Sequence, residues 1–208
     1  MNVVLFGASG MIGSRVLQEL LRRGHQVTAV ARNPEKIAGS GAKAVKGDVT
    51  DEASVAAIAK GADAVISAYA PPQDDPQSVV AATRALLAGL DEAGVKRVIV
   101  VGGAGSLEVA PGVQLVDAPN FPEQWKGIAL AHRDALQVLK KSNVDWSYMS
   151  PAAFIQPGER TGKFRLGGTE LVTDDKGESR ISAEDFAVAL VDELEFPAHL
   201  RQQFTVAY

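Results

Sequence analysis

The stretch that decides the fold is Val3-Val4-Leu5-Phe6-Gly7-Ala8-Ser9-Gly10-Met11-Ile12-Gly13, near the start of a chain of 208 residues. The apolar run Val3–Phe6 has the length and the β-branched content of a buried strand, and it stops at a glycine. After the turn, apolar residues recur at helical spacing and predict a helix from Met11 to Arg23. The sequence therefore predicts a strand, a glycine-rich turn and a helix in direct succession.

Three glycines shape this turn, each with a different physical task. Gly7 permits a tight exit from the strand, Gly10 lets the backbone approach a pyrophosphate, and Gly13 allows the helix to lie close to the sheet. Free backbone N–H groups at the start of the helix would face the anion. The pattern predicts a dinucleotide-binding turn, although a glycine-rich turn that binds nothing is the alternative. The residues assigned to it are Gly7, Ser9, Gly10, Met11, Ile12 and Gly13.

Strands and helices continue to alternate up to residue 150. The predicted strands are Val3–Phe6, Gln26–Ala31, Ala44–Gly47, Ala64–Ser67, Arg97–Val101 and Trp146–Ser150. The predicted helices after the first are Asp51–Lys60, Asp75-Pro76 to Gly94, and Pro122–Ser142. Alternation of this kind predicts an α/β fold with a doubly wound parallel sheet of the Rossmann type.

After Ser150 the pattern changes, because prolines and glycines interrupt it. Short strands are expected at Lys163–Leu166, Glu170–Val172 and Gln203–Val206, and a capping box at Ser182-Ala183-Glu184-Asp185 predicts a helix to about Leu194. We interpret residues 151–208 as a small C-terminal cap on the substrate side that does not fold independently. The chain is then one NAD(P)-binding domain, 1–208, with its dinucleotide-binding core at 1–150.

The end of the second strand indicates which nucleotide is bound. Arg32 lies 32 − 13 = 19 residues beyond Gly13, where an NAD site usually has a carboxylate for the ribose hydroxyls. An arginine instead offers a fork for a 2′-phosphate, and no acidic residue lies between Gln26 and Pro34. Arg32 and Asn33 therefore favour NADP(H) over NAD(H), with a solvated arginine at a strand end as the alternative. Arg15 either assists or forms a surface ion pair.

Other strand ends should line the same crevice. Asp48 and Val49 follow the third strand, where a carboxylate can accept from the adenine amino group and a valine can contact the ring. Asp48 beginning a turn is an equally good interpretation. Further cofactor contacts are expected at Ser67, Ala68, Tyr69 and Gly102.

Composition excludes several classes of function. The chain has 21 Lys+Arg and 25 Asp+Glu, a net charge of −4, and no basic block, which argues against nucleic acid as a partner. The absence of cysteine and the wide separation of His25, His132 and His199 argue against a metal site. No run of about 18 apolar residues predicts a membrane span, and no targeting leader is evident. We expect a cytoplasmic protein, and the oligomeric state stays open.

Taken together, these stretches resemble the atypical short-chain dehydrogenase/reductase superfamily. Within it, the resemblance is to the branch of NmrA-like proteins, biliverdin reductase B and NADH-flavin reductases. The residues that carry it are Gly7–Gly13, Arg32-Asn33, Gly47–Asp51, Val100–Ser106, Val144–Ala152 and Ile181–Ala187. The resemblance implies a Rossmann-type fold, a nicotinamide cofactor and oxidoreductase chemistry.

The chain departs from the superfamily where protons are handled. Standard members use a serine after the fifth strand and a Tyr-x-x-x-Lys pair on the next helix, in which the tyrosine exchanges the substrate proton. Ser106 can take the serine position and is the candidate catalytic residue, whereas Trp125 and Ala129 stand at the other two positions. This favours hydride transfer to a flat conjugated acceptor, a flavin or a quinone-like molecule, without a Tyr–Lys relay. The predicted pocket walls are Trp125, Pro151 and Phe154, with Tyr69 and Phe121 as further aromatic candidates.

Two other functions remain open, a non-catalytic NADP(H)-sensing regulator of the NmrA type and an epimerase- or dehydratase-like enzyme. His132 is interpreted as a surface or helix-packing residue. Biliverdin reductase B-like proteins can carry a histidine after the Ser-Pro stretch, but here that place reads Pro151-Ala152-Ala153-Phe154, which argues against bilin reduction. The loop 102–122 is predicted to be a mobile lid, because it holds glycine, proline and few anchoring apolar residues.

Overall fold

The computed structural model describes all 208 residues. Its strands are β1 (Asn2–Phe6), β2 (Gln26–Ala31), β3 (Lys43–Lys46), β4 (Ala64–Ser67), β5 (Arg97–Val101), β6 (Glu108–Ala110), β7 (Val113–Gln114), β8 (Asp145–Ser150), β9 (Phe154–Gln156), β10 (Arg165–Gly167), β11 (Arg180–Ser182) and β12 (Gln202–Ala207). Its helices are α1 (Met11–Arg22), α2 (Glu52–Ala59), α3 (Ser78–Ala93), α4 (Glu123–Lys140) and α5 (Ala183–Glu195). Short 3₁₀ turns occur at Pro34–Ile37, Ala104–Ser106 and Leu115–Asp117.

Eight strands form the central sheet in the order β10-β12-β8-β5-β4-β1-β2-β3. Every neighbouring pair is parallel except β10 with β12, which is antiparallel. From β1 the chain proceeds outward to β2 and β3, and it then returns to place β4 on the other side of β1. A crevice opens at such a switch point beyond the carboxyl ends of the strands. The predicted doubly wound α/β fold is confirmed.

Helices cover both faces of the sheet, which explains why its inner strands are apolar along their whole length. One core of 27 buried residues lies under α1 and α5, and another of 17 lies under α2, α3 and α4. Leu5 and Leu20 belong to the first core, and Leu86 and Tyr148 to the second. None of the helices combines the length and the apolar character needed to cross a membrane.

Most predicted boundaries lie within one or two residues of the observed ones, and two differences are larger. Helix α3 begins at Ser78 rather than at Asp75-Pro76, because the N–H and hydroxyl of Ser78 both bond to the Asp75 carbonyl and close a separate turn. The segment Glu170–Val172 is not a strand, since Glu170 makes a single bridge to Glu108.

The structure also contains four short strands that the sequence did not reveal. β6 and β7 form a hairpin, and β9 pairs with the distant β11 in parallel. The β9–β11 pair joins segments far apart in sequence, so their local patterns carry little information about it.

The segment after Ser150 contributes strands to the central sheet and a helix to one of its faces. β12 lies beside β8 in the central sheet, β10 adds an edge strand, and α5 contacts α1 along its length. β9 and β11 lie outside the main sheet. The interpretation of 1–208 as one domain stays a prediction.

The loop 102–122 is anchored, contrary to the premise of the predicted lid. Leu107 and Val116 are fully enclosed, at 0% and 1% exposure. Arg133 of α4 adds hydrogen bonds to Gln114 and to the Asp117 carboxylate, at 3.3 and 3.2 Å. Leu107 and Val116 are apolar anchors of this loop. They were not recognised from the sequence, because isolated apolar residues in a polar stretch form no periodic pattern.

Candidate functional site

A cleft of about 170 Å³ lies at the carboxyl ends of the strands around the switch point. Eight of the predicted cofactor residues line it: Gly7, Ser9, Gly10, Arg32, Asp48, Val49, Ala68 and Tyr69. Five further residues, Phe6, Val30, Ala31, Gly47 and Ala70, complete the lining. The tertiary fold thus brings together the ends of four strands that are separated in sequence.

The glycine-rich turn is built from close backbone contacts. Gly7 has φ +79°, and a Cβ there would lie 2.5 Å from the Ala68 carbonyl oxygen. A Cβ at Gly13 would overlap the carbonyl oxygen of Gly7. Neither position has room for a side chain, so α1 starts directly against the end of β1 and leaves the backbone exposed to the cleft.

The start of α1 fits a phosphate group. Gly10 is its N-cap and has no side-chain cap, and the first turn holds no acidic residue. The N–H groups of Met11, Ile12 and Gly13 precede the first helical hydrogen bond and find no backbone acceptor. Met11 has an exposed side chain and Ile12 packs on the core, so these residues would bind through their backbone. A helix terminus with free N–H groups and no competing carboxylate is suited to a pyrophosphate.

Arg32 is a cationic side chain of the cleft that has no partner within the protein. It lines the cleft and makes neither an ion pair nor a hydrogen bond within the protein. Arg15 is instead committed to Glu184, with Nε 3.0 Å from the carboxylate, which agrees with the ion-pair alternative. Asn33 does not line the cleft; its side chain accepts from the N–H of Glu35 and caps the following 3₁₀ turn. The guanidinium of Arg32 is therefore available to an anionic ligand.

Asp48 both shapes a turn and faces the cleft. Its Oδ1 accepts from the N–H and the hydroxyl of Thr50, at 2.9 and 2.7 Å. The Thr50 N–H is the main reason why the pKa of Asp48 is lowered, and the charge of Arg32 adds to the effect. The other oxygen, Oδ2, has no protein partner. Both sequence interpretations of Asp48 are thus compatible: one oxygen makes the turn and the other remains for a donor such as an amino group.

The remaining cofactor candidates do not all line the cleft. Ser67 is buried within β4, whereas Ala68 and Tyr69 are in the lining. The Tyr69 hydroxyl donates to Ser78 at 3.0 Å, which fixes the ring at the wall. Gly102 follows β5, and a Cβ there would overlap the ring of Tyr148. Ser67 and Gly102, predicted as cofactor contacts, do not line the cleft.

Comparison with known proteins assigns the chain to a family. Residues 7–197 match a family model described as NAD(P)H-binding. The chain belongs to that NAD(P)H-binding family. It is 38% identical over 210 residues to the uncharacterized protein YwnB of Bacillus subtilis, covering 99% of this chain and 98% of the relative. The family supports a nicotinamide cofactor for the cleft.

Solved structures agree with this assignment. A protein of Burkholderia pseudomallei described as a "Putative exported protein" is 54% identical to this chain. Its structure matches this one with a TM-score of 0.93 over 100% of both chains. A "putative NADH-flavin reductase" from Streptococcus pneumoniae is 34% identical with a TM-score of 0.85, covering 100% of this chain and 99% of the other. The NAD(P)H-binding chain thus shares its Rossmann-type fold with these two proteins over its whole length.

Ser106, the predicted catalytic serine, does not line the nucleotide cleft of this NAD(P)H-binding protein. It is 4% exposed, and its hydroxyl accepts from Nε2 of Gln203 at 2.9 Å. The same amide donates to the hydroxyl of Ser150 at 3.0 Å. The buried trio Ser106–Gln203–Ser150 ties the turn after β5 to β8 and β12.

The predicted acceptor walls lie on different elements and are not gathered into one pocket. Trp125 is half-exposed on the first turn of α4, and Pro151 is buried after β8. Phe154 is 70% exposed and lines a separate groove with Arg180 and Tyr208, which neither Trp125 nor Pro151 lines. Ala129 lies against Gly105, since a Cβ on that glycine would be 2.7 Å from the Ala129 Cβ.

His132 is the residue that the sequence interpretation undervalued. It is 8% exposed, and burial lowers the pKa of its imidazole to about 4. Of the two interpretations, a surface residue or a helix-packing residue, the second agrees with this burial. Its Nδ1, however, is buried without a hydrogen-bond partner. Helical spacing from Ala129 and Leu136 places it on their buried face, and this was the signal that could have been used.

Proposed function

We propose that the protein is an NADPH-dependent reductase that transfers hydride to a flat conjugated acceptor, a flavin or a quinone-like molecule. The family supports a nicotinamide cofactor, and the similar Streptococcus pneumoniae protein is described as an NADH-flavin reductase, with the qualifier "putative". The choice of acceptor rests on which side chains α4 presents beside the turn after β5.

The resemblance assigns the Tyr and Lys positions to Trp125 and Ala129 of α4, which would not form an acid–base pair. Ala129 fills the space against Gly105, and Trp125 presents an indole to solvent. Neither side chain can give a proton to an alkoxide, which reduction of a simple ketone requires. A conjugated acceptor spreads the added charge over its rings, so water can supply the proton.

When bound, reduced nicotinamide supplies two electrons and one proton as hydride, the acceptor is reduced by two electrons, and its second proton comes from water. The chain's own task is then to hold two flat rings together. The N–H groups at the start of α1 would hold the pyrophosphate, and Asp48 would orient the adenine. Of the predicted acceptor walls, Trp125 is proposed to contact the acceptor, because Phe154 lines a separate groove and Pro151 is buried.

The activity is tested by following NADPH oxidation without oxygen, with FMN, FAD and several quinones as acceptors. The proposal expects multiple turnovers with at least one of them. Tight NADPH binding with no oxidation by any acceptor would contradict a reductase and would favour an NADP(H)-sensing regulator.

The preference for NADPH is tested at Arg32. We expect Arg32→Ala to weaken NADPH binding by about tenfold to a hundredfold, because a charge-assisted hydrogen bond contributes about 1.5–3 kcal/mol. NADH, which lacks the 2′-phosphate, should be affected by no more than about twofold. Calorimetric titration gives both dissociation constants.

A matched control is Arg84→Ala, which removes another arginine without an ion pair, from the exposed side of α3. It should leave both affinities unchanged. An equal loss for NADPH and NADH in Arg32→Ala would refute the assignment of the 2′-phosphate to this residue.

A further inference from the structure

We propose that His132 is a catalytic residue whose Nε2–H donates a hydrogen bond to the acceptor atom that becomes negatively charged on reduction. This rests on the proposed reductase function and adds to it a group in contact with the acceptor. Nothing in the family description or in the names of the relatives assigns such a role.

The imidazole lies at the end of the sheet where the acceptor is expected. A Cβ on Gly103, two residues beyond β5, would lie 3.1 Å from Cβ of His132 and 3.5 Å from its Cδ2. The neighbouring Ala131 packs with Val79 and with Tyr69, a wall of the nucleotide cleft. His132 therefore sits between that wall and the turn after β5.

Hydrogen bonding distinguishes this histidine from the other two. His25 Nε2 pairs with Glu195 at 2.9 Å, and His199 Nδ1 pairs with Glu193 at 2.8 Å. His132 has no side-chain hydrogen bond at all, and its Nδ1 is fully enclosed. Nε2 also has no protein partner, but unlike Nδ1 it is not among the enclosed atoms. It is therefore the nitrogen of this ring that a ligand can reach, and a polar atom left free there calls for a partner.

The backbone around His132 holds the ring without using its nitrogens. The Tyr148 hydroxyl donates to the His132 carbonyl at 2.9 Å and accepts from the Gly103 N–H at 3.2 Å. Helix α4 and the turn after β5 are thereby joined through one buried phenol. The ring is positioned by its backbone and its neighbours, and both nitrogens stay unused by the protein.

The protonation state suits a donor rather than an acid. Burial lowers the pKa of His132 to about 4, so the ring is neutral near neutral pH and carries one N–H. Enclosed N–H groups without acceptors are rarer than enclosed lone pairs, which places the proton on Nε2. A neutral donor in a water-poor site stabilises developing negative charge and keeps its own proton.

The nitrogen is identified by a set of variants at one position. In His132→Gln the side-chain amide nitrogen can take the place of Nε2, in His132→Asn it takes the place of Nδ1, and His132→Leu has neither. We expect Leu and Asn to lower kcat/KM for the acceptor by about tenfold to a hundredfold, and Gln to retain most of it. The Kd for NADPH should not change. Leu136→Met, one turn along the same buried face, is the control for helix packing.

A second readout does not need turnover. With NADP⁺ present, oxidised FMN is added to protein labelled with ¹⁵N in histidine, and the ring resonances are followed. We expect the Nε2 resonance of His132 to shift, while the resonances of His25 and His199 stay unchanged.

The outcomes separate the two proposals. An active wild type with equal kcat/KM in all three variants would overturn the role of His132 and leave the reductase intact. A wild type that reduces no acceptor would overturn the reductase. An unshifted Nε2 resonance with saturating FMN would overturn the contact in either case.

Discussion

Replacing Glu19 by glutamine should destabilise the protein through the loop beside the nucleotide turn. Glu19 is on α1 and only 3% exposed. Its carboxylate accepts two hydrogen bonds from Arg160, both at 2.8 Å, and one from Arg23 at 2.8 Å. Arg160 belongs to the segment after β9. Glu184 of α5 also holds this segment, since it accepts from the Gly158 N–H at 2.7 Å and pairs with Arg15 of α1.

The pKa of Glu19 gives the magnitude. The hydrogen bonds from Arg160, followed by those from Arg23, hold it at about 2 instead of the ordinary 4.5 against the opposing effect of burial. One pKa unit corresponds to about 1.36 kcal/mol, so the ionised carboxylate contributes up to about 3 kcal/mol to the free energy of unfolding. Glutamine keeps one oxygen as an acceptor, and we therefore expect Glu19→Gln to cost about 2 kcal/mol. In a chain of this length that lowers Tm by about 4–8 °C.

The cost should depend on pH in one direction. The folded-state pKa is depressed, so the contribution is complete above the unfolded value of 4.5 and is lost as the pH falls through about 2. Linkage reduces the contribution of the carboxylate from about 3 kcal/mol at neutral pH to about 1 kcal/mol near pH 3. The difference between wild type and variant should shrink accordingly.

Urea unfolding of both proteins at neutral pH and at the lowest pH where both are folded measures this difference. Glu92→Gln, which neutralises an exposed carboxylate of α3 without an ion pair, is the control and should change little. A difference below about 0.5 kcal/mol at neutral pH, or one that grows on acidification, would refute the reasoning.

Two further substitutions test the backbone contacts around the site. Gly13→Ala places a Cβ on the Gly7 carbonyl oxygen, and the overpacking, about 1–3 kcal/mol, should weaken NADPH binding by about tenfold or more in calorimetric titration. Gly168→Ala, where a Cβ has open space, is its control, and an unchanged Kd in Gly13→Ala would show that α1 does not need this close approach. Tyr148→Phe removes the hydroxyl that joins the Gly103 N–H to the His132 carbonyl, and it should lower the free energy of unfolding by about 1–3 kcal/mol. An unaltered urea midpoint would argue against this link.

Local patterns were sufficient for the parts of the fold that depend on neighbours in sequence. The strand Val3–Phe6, the turn Gly7–Gly13 and α1 were all predictable, because strand length, glycine spacing and helical periodicity are read within about a dozen residues. The central parallel sheet followed from the repeated alternation. The start of α3 and the segment Glu170–Val172 were mispredicted, because a local turn and a single bridge replaced regular structure there.

The candidate site was predictable only in part. Arg32 and Asp48 could be proposed as lining residues because parallel strands present their carboxyl ends at one edge of a sheet. Ser106 shows the limit of the same logic. It does follow a strand, but its hydroxyl accepts a buried hydrogen bond from the side-chain amide of Gln203. Gln203 lies nearly a hundred positions later in the chain, so this contact could not be predicted from local sequence.

The sequence by itself determined the glycine-rich turn, the alternation of strands and helices, and an arginine at the end of the second strand. Each of these is encoded by residues close together in the chain. The tertiary structure decided which of the polar groups are already used by the protein. It pairs Arg15 with Glu184 and leaves Arg32 free, and it pairs His25 and His199 with glutamates and leaves His132 without a partner. A hydrogen bond joins groups that folding brings together from distant positions, so only the folded chain shows which donors remain for a ligand.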